Sequence, residues 1–224
     1  MNIAVLMWYD KQIEFFAKYY HQINELYCNK YNYKLIKCSK RRYTDRKPHW
    51  ERFPLILKHI EKYDYVVWID ADAFFYLESP SLEDLIRKYD NEIILSADYS
   101  NLSPPALNSG VLILKNTTQV KAMVEKWAYS EELKNKFLST PIRNWIEDQA
   151  VIRGCYKDNV DNFRDICSVI PYLKLQHYWK KEINFLRQQE TNELPYVFHL
   201  AGMSDEQRLK YPREYLKSLD EIRL

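Results

Sequence analysis

Apolar residues along this chain keep two rhythms. Short runs such as Ile3–Met7, Tyr65–Ile69 and Val111–Leu114 are apolar at every position and have the length of strands, the signature of strands buried on both faces. Between them, longer stretches repeat an apolar residue every three or four positions, the helical period. The pattern predicts strands at about 2–8, 33–38, 65–70, 93–97, 110–115 and 196–200. It predicts helices at about 11–30, 50–62, 81–89, 117–129, 146–153 and 205–218. Strands alternating with helices imply an α/β fold with a central mixed, mainly parallel sheet covered on both faces. Ser79-Pro80-Ser81-Leu82-Glu83-Asp84 reads as a helix start, with Ser81 as N-cap and Asp84 in the capping-box position. Asn101-Leu102-Ser103-Pro104-Pro105 reads as a loop, because two prolines break any ladder or helix.

A length of 224 residues suits one such domain, 1–224, with a sizeable core. A net charge of +2 carries no polyanion-binding signature, so no nucleic-acid partner is expected. The densest basic patch is Arg41-Arg42 with Arg46 and Lys47, either a solvated loop or one facing a phosphate or an acceptor. No run approaches the roughly 18 apolar residues a membrane span needs. The opening Met1–Met7 lacks a positive leader and a cleavage site, and reads as a first strand rather than a signal peptide. Cys28, Cys38, Cys155 and Cys167 form no close pair, as expected for reduced thiols in a soluble cytoplasmic protein. With only three glycines, Gly110, Gly154 and Gly202, each position raises the question of what excludes a side chain there.

Candidate chemistry gathers where apolar runs end in small polar groups. Tyr65–Ile69 drives into Asp70-Ala71-Asp72, at the carboxyl end of a strand, where open α/β sheets place their ligand crevice. Successive strand side chains point to opposite faces, so the two carboxylates need a bend to converge, and a hard divalent cation on a diphosphate would supply the reason for one. Asn108-Ser109-Gly110 opens the next run; two short polar side chains and a glycine allow close approach to a sugar or phosphate, or form a plain turn. In Trp145-Ile146-Glu147-Asp148-Gln149-Ala150 the acids either favour a helix dipole or place Asp148 and Gln149 under a reacting sugar carbon. His199, ahead of Leu200-Ala201-Gly202, is either a satisfied core residue or the imidazole beside Asp72 in a set suited to Mn²⁺. Gly202 would let backbone N–H groups reach a phosphate. At the end of the first strand, Trp8, Tyr9 and Asp10 offer stacking surface and a carboxylate to a ligand, or belong to the core.

The order and spacing of Trp50 and Arg52, Trp68-Ile69-Asp70-Ala71-Asp72-Ala73, Asn108-Ser109-Gly110 with Leu114-Lys115-Asn116 and Trp127, Glu147-Asp148-Gln149, and His199-Leu200-Ala201-Gly202 resemble the galactosyl/xylosyl transferase family of GT-A glycosyltransferases, over about residues 48–204. The resemblance implies a Rossmann-like nucleotide-binding half at about 1–115 and an acceptor and sugar half at about 116–224. It implies a UDP-sugar donor, Mn²⁺ (or Mg²⁺), and transfer of a hexose or pentose to a glycan or glycoprotein acceptor, with retention favoured. Asp72 and His199 would ligate the metal, with Asp70 sharing it or binding the ribose, and Asn108, Ser109, Asp148 and Gln149 would line the sugar. Trp50, Arg52 and Ala71 fall in the donor-binding motifs by the same analogy. Ser204 stands where the family often carries a basic residue for the diphosphate, and Arg208, one helical turn on, is the candidate replacement. Family members usually carry an N-terminal membrane anchor, so a bacterial or viral relative is expected here. The rival readings are a non-catalytic UDP-sugar or glycan-binding module and a haloacid-dehalogenase-like phosphatase, whose Asp-X-Asp normally sits on the first strand.

Overall fold

All six residues of β1 (Ile3–Trp8) are buried, and they feed two cores in alternation. Ile3, Val5 and Met7 enter one core; Ala4, Leu6 and Trp8 enter the other, as the two-residue repeat of a strand requires. A computed structural model describes residues 1–98, 105–138, 147–171, 174–177 and 195–222. Helix α1 (Glu14–Tyr31) follows and covers the first face with Phe16, Tyr20, Ile23 and Tyr27. Next come β2 (Lys34–Cys38), α2 (Arg52–His59) between 3-10 turns at Pro48–Glu51 and Ile60–Lys62, β3 (Tyr65–Ile69) and β4 (Ala73–Phe75). After α3 (Leu82–Tyr89) lie β5 (Ile93–Ala97), β6 (Leu107–Lys115), α4 (Thr118–Tyr129), α5 (Glu131–Leu138) and α6 (Glu147–Lys157). A 3-10 run at Val160–Ile166 leads to β7 (Cys167–Ile170), β8 (Gln176–His177), β9 (Val197–His199) and α7 (Asp205–Ile222).

The main sheet runs β2-β1-β3-β6-β5-β7, and β6 alone opposes its neighbours. This is the mixed, mainly parallel sheet the pattern predicts, with helices on both faces. α2, α4 and α6 close the second face through Phe53, Ile56, Val124, Trp127 and Ile152. Each large aliphatic fully buried on β6 contributes roughly 1.5–3 kcal/mol, which is why this antiparallel strand holds at the centre of the sheet. As predicted, Ser81 caps α3, its hydroxyl accepting the Asp84 N–H at 3.2 Å.

The structure adds β4, β7, β8 and α5 to the predicted elements. β4 and β8 are too short for a periodic pattern to register. The prediction also starts β6 three residues late: Leu107, Asn108 and Ser109 already belong to the strand, and Asn108 and Leu107 pair with Ser96 and Ala97. Between Leu95 opposite Leu112 and Ser96 opposite Asn108 the register jumps, so Ser109, Gly110 and Val111 have no partner on β5. Such a bulge re-aims side chains, and here it falls on the Asn-Ser-Gly segment. Residues 101–104 of the predicted loop, and Trp145 and Ile146, lie outside the described residues.

Candidate active site

The bend the two carboxylates require is a change of sheet. β3 ends at Ile69; the Asp70 N–H still donates to Gly110 O at 2.9 Å, and Ala73 N–H closes a turn on Asp70 O at 3.1 Å. The chain then enters β4, which belongs to a separate three-stranded sheet ordered β4-β9-β8. Antiparallel pairing sets Ala73 opposite His199, and Leu200 N–H donates to Asp72 O at 2.9 Å. This register carries the late histidine to the early acids. His199 Nε2 lies 3.3 Å from Asp72 Oδ1 and 3.7 Å from Asp70 Oδ2.

The ring is held from two sides. His199 Nδ1 lies 3.0 Å from Gln176 Oε1, a contact that orients the ring with Nε2 presented to the carboxylates. On another side the backbone of Gly110 presses close: a Cβ there would come 2.2 Å from His199 Cε1 and 2.7 Å from Nδ1. Gly110 is thus required by the histidine rather than by its own backbone angle. Replacing it with alanine should displace the ring. The affinity of this cluster for a divalent cation should fall by roughly 10–100-fold, the usual cost of disturbing a ligand's support, read by titration calorimetry; unchanged affinity would show that the ring relaxes without loss.

Burial opposes ionisation of all three groups, and their mutual contacts decide the outcome. Asp72 is held down to about 2, because the hydrogen bond and charge of His199, with Arg208, outweigh burial. His199 is depressed by burial but raised more by Asp72 and Asp70, and ends above its ordinary value. Burial leaves Asp70 above the usual carboxylate range in spite of Arg52 and His199. Two carboxylate oxygens and an imidazole nitrogen, all within 4.8 Å of one another, form a donor set that fits Mn²⁺ or Mg²⁺ with sites left for a ligand's oxygens, and the nitrogen favours Mn²⁺.

Arg52 ties this cluster to the rest of the site. Its NH2 lies 3.2 Å from Asp70 Oδ1, its NH1 donates to Ser109 O and Oγ at 2.6 and 2.9 Å, and its Nε is 2.8 Å from Asp148 Oδ2. Trp68 Nε1 donates to the same Asp70 oxygen at 2.7 Å, with the Arg52 guanidinium over its ring. Ser109 donates from N and Oγ to Gln149 Oε1 at 2.9 and 3.2 Å, which turns the Gln149 NH₂ away from the serine. Asn108 Oδ1 accepts the Gly110 N–H at 2.8 Å and supports the bulge.

A cleft of about 310 Å³ is lined by Trp8, His49, Arg52, Trp68, Asp70-Ala71-Asp72 and Arg208. Arg208 Nε and NH2 both donate to Asp72 Oδ2, at 3.0 and 2.9 Å. Gly202 has φ +73° in a turn closed by Met203 N–H to Leu200 O at 3.1 Å, and nothing stands within 4 Å of where a side chain would begin. Among the expected donor and sugar contacts, Tyr9, Asp10, Trp50, Asn108, Ser109, Asp148, Gln149 and Gly202 stand apart from the cleft lining. Tyr9 is buried in the core against His21, with Lys37 over its ring. Asp10 accepts the Gln12 N–H at 2.9 Å in a turn. Trp50 is buried between Phe53 and Arg46, its Nε1 on Glu147 at 3.3 Å. Tyr9 and Trp50 are spent on packing, whereas Trp8, whose indole N–H is fixed to Lys40 O at 3.1 Å, lines the cleft together with Trp68.

Sequence reasoning passes over two residues. His49 lines the cleft with Nε2 3.6 Å from Asp148 Oδ1, and burial pushes it below its ordinary value, partly offset by Asp148. Lys47-Pro48-His49-Trp50, a proline opening a helical turn, was the available signal, but the predicted helix begins after it. Gln176 is fully buried, and no motif surrounds it.

The sequence matches no family model and no curated protein. Solved structures are similar over nearly the whole chain. A glycosyltransferase involved in the glycosylation of the major capsid of PBCV-1 superposes with a TM-score of 0.72 at 15% identity, covering 96% of this chain and 100% of that one. The galactosyltransferase LgtC, in complex with donor and acceptor sugar analogs, gives 0.59 at 13% identity over 94% and 95% of the two chains. This chain has the GT-A fold. Mouse xyloside xylosyltransferase 1 gives 0.52 at 11% identity over 89% and 97%. At these identities it is the fold that is shared. In this GT-A domain the acid pair after β3, the bulge of β6, the start of α6 and the end of β9 are joined by one network of contacts through Arg52 and His199. Among the described residues no helix is long and apolar enough to cross a membrane.

Proposed function

We propose that this chain is a Mn²⁺-dependent glycosyltransferase that moves a hexose or pentose from a UDP-sugar to a hydroxyl of a glycan or glycoprotein acceptor, with retention. The observation that carries the reading is the meeting of Asp70, Asp72 and His199, with both acids and Arg208 lining a cleft. Asp72 and His199 would hold Mn²⁺ (or Mg²⁺), with Asp70 sharing it or taking the ribose. Bound there, the metal would supply positive charge against a leaving diphosphate. Arg208 answers the same charge, its planar fork suited to phosphate oxygens. Trp8 gives the uracil a fixed apolar surface.

On the sugar side, Arg52 and Ser109 hold Asp148 and Gln149 in one orientation. Asp148 is buried and ion-paired, suited to stabilising positive charge on the anomeric carbon rather than to shuttling a proton. An acceptor hydroxyl attacking from the leaving-group face forms its C–O bond as the sugar–diphosphate bond breaks, and passes its proton to the departing diphosphate oxygen. That course keeps the configuration and needs no separate base. UDP-, GDP- and dTDP-sugars, each with and without Mn²⁺, should separate in a thermal-shift screen, with a UDP-sugar raising the melting temperature only when Mn²⁺ is present. Slow UDP release should accompany it. Binding without release, with or without acceptor, would leave a sugar-nucleotide-binding module; no response to any UDP-sugar would end the proposal.

A further inference from the structure

Each acid of the Asp70-Ala71-Asp72 pair already has a guanidinium of its own. Asp70 is paired with Arg52, and Asp72 Oδ2 takes both the Nε and the NH2 of Arg208. Across the cleft and the groups behind it, the three carboxylates of Asp70, Asp72 and Asp148 face the two guanidiniums of Arg52 and Arg208. A cation entering alone therefore meets acids whose charge is largely answered, and it must sit beside Arg208, a like charge. A diphosphate changes that balance, because its oxygens can take both the metal and the arginine fork.

From this we propose that Arg208 makes the cation site selective for a metal that arrives with its diphosphate. It does so by occupying Asp72 in the metal-free protein and turning to the phosphate oxygens when the nucleotide binds. The inference rests on the metal and nucleotide assignment above. The construction of Arg208 suits an exchange of partners by the side chain alone. Its backbone carbonyl is anchored by the Tyr20 hydroxyl at 2.9 Å. Its guanidinium lies over the Phe16 ring, and Asp205 Oδ1, 3.5 Å from NH1, offers a second, more exposed resting place. Arg52, by contrast, is buried, with carbonyl, hydroxyl and carboxylate partners on all sides, and stays where it is.

The test is calorimetric titration of Mn²⁺ into the whole chain, alone and saturated with UDP, for wild type, Arg208→Gln and Arg208→Lys. In the wild type, UDP should tighten Mn²⁺ binding by roughly tenfold or more, within the usual range of coupling between sites. Arg208→Gln should bind free Mn²⁺ more tightly than wild type and lose most of the tightening by UDP. Arg208→Lys, which keeps the charge but not the fork, should bind free Mn²⁺ as weakly as wild type and recover part of the coupling. A merely structural role would weaken every titration together and cannot produce opposite signs. Free Mn²⁺ binding no tighter in Arg208→Gln, with UDP coupling retained, would overturn the inference and leave the metal site standing. No Mn²⁺ binding to wild type even with UDP would overturn both.

Discussion

Asp72→Asn should abolish Mn²⁺-dependent transfer and leave the fold in place. The substitution keeps the shape of the side chain, and the contact that joins β4 to β9 at this point uses the backbone carbonyl of Asp72, not its carboxylate. What it removes is charge. With Asp72 held down to about 2, the group is fully ionised at neutral pH, and both its oxygens face cationic or imidazole partners. A metal's contribution to stabilising a leaving diphosphate is several kcal/mol, so the rate of UDP release with Mn²⁺ should drop on the order of 10³-fold or more. Mn²⁺ affinity measured with UDP should fall in parallel, while the melting temperature without ligands stays near that of wild type. Wild-type turnover in this variant would remove the metal assignment. Loss of the fold would mean that the Asp72–Arg208 pair is itself a structural bond.

The fold was legible because its central strands are apolar at every position and its helices keep a clean period. β1, β3 and β5 therefore stand where the pattern predicts them, within a residue at each end. What escaped were elements whose existence depends on a distant partner. β4 is three residues of Ala-Phe-Phe that become a strand only because β9 lies opposite, and β8 is two. The same limit applies to the site. The acids at the end of β3 announce themselves by interrupting an apolar run, whereas the position of His199 beside them is a matter of strand register between segments remote in sequence. Gly110 illustrates the gap well. Its scarcity marked it as a question, but the answer, a histidine ring from β9 occupying the space of a side chain, is tertiary. Tyr9 was equally open to core and ligand readings, while Trp50 was placed only by the family resemblance; the structure buries both.

Arg52→Met should cost more stability than any other single change at the site, about 3–5 kcal/mol, the range for breaking a buried ion pair from one side. The methionine fills much of the same volume, so the loss is electrostatic rather than a cavity. Asp148, 2% exposed, would be left with His49 as its nearest remaining partner, the Nε2 of which is 3.6 Å away. Ser109 would lose the donor to both its carbonyl and its hydroxyl, and Asp70 would keep only the Trp68 indole on the oxygen it now shares. Urea unfolding of Arg52→Met, Asp148→Leu and the double variant separates these contributions. Because most of the penalty is an orphaned carboxylate, the double variant should be more stable than Arg52→Met alone, with a coupling energy of about 1–3 kcal/mol. A purely additive double variant would assign the cost of Arg52→Met to Ser109 and Asp70 instead. A single-variant loss below about 1 kcal/mol would mean that water already reaches Asp148, and that the tie between β3, β6 and α6 is made by packing and not by this guanidinium.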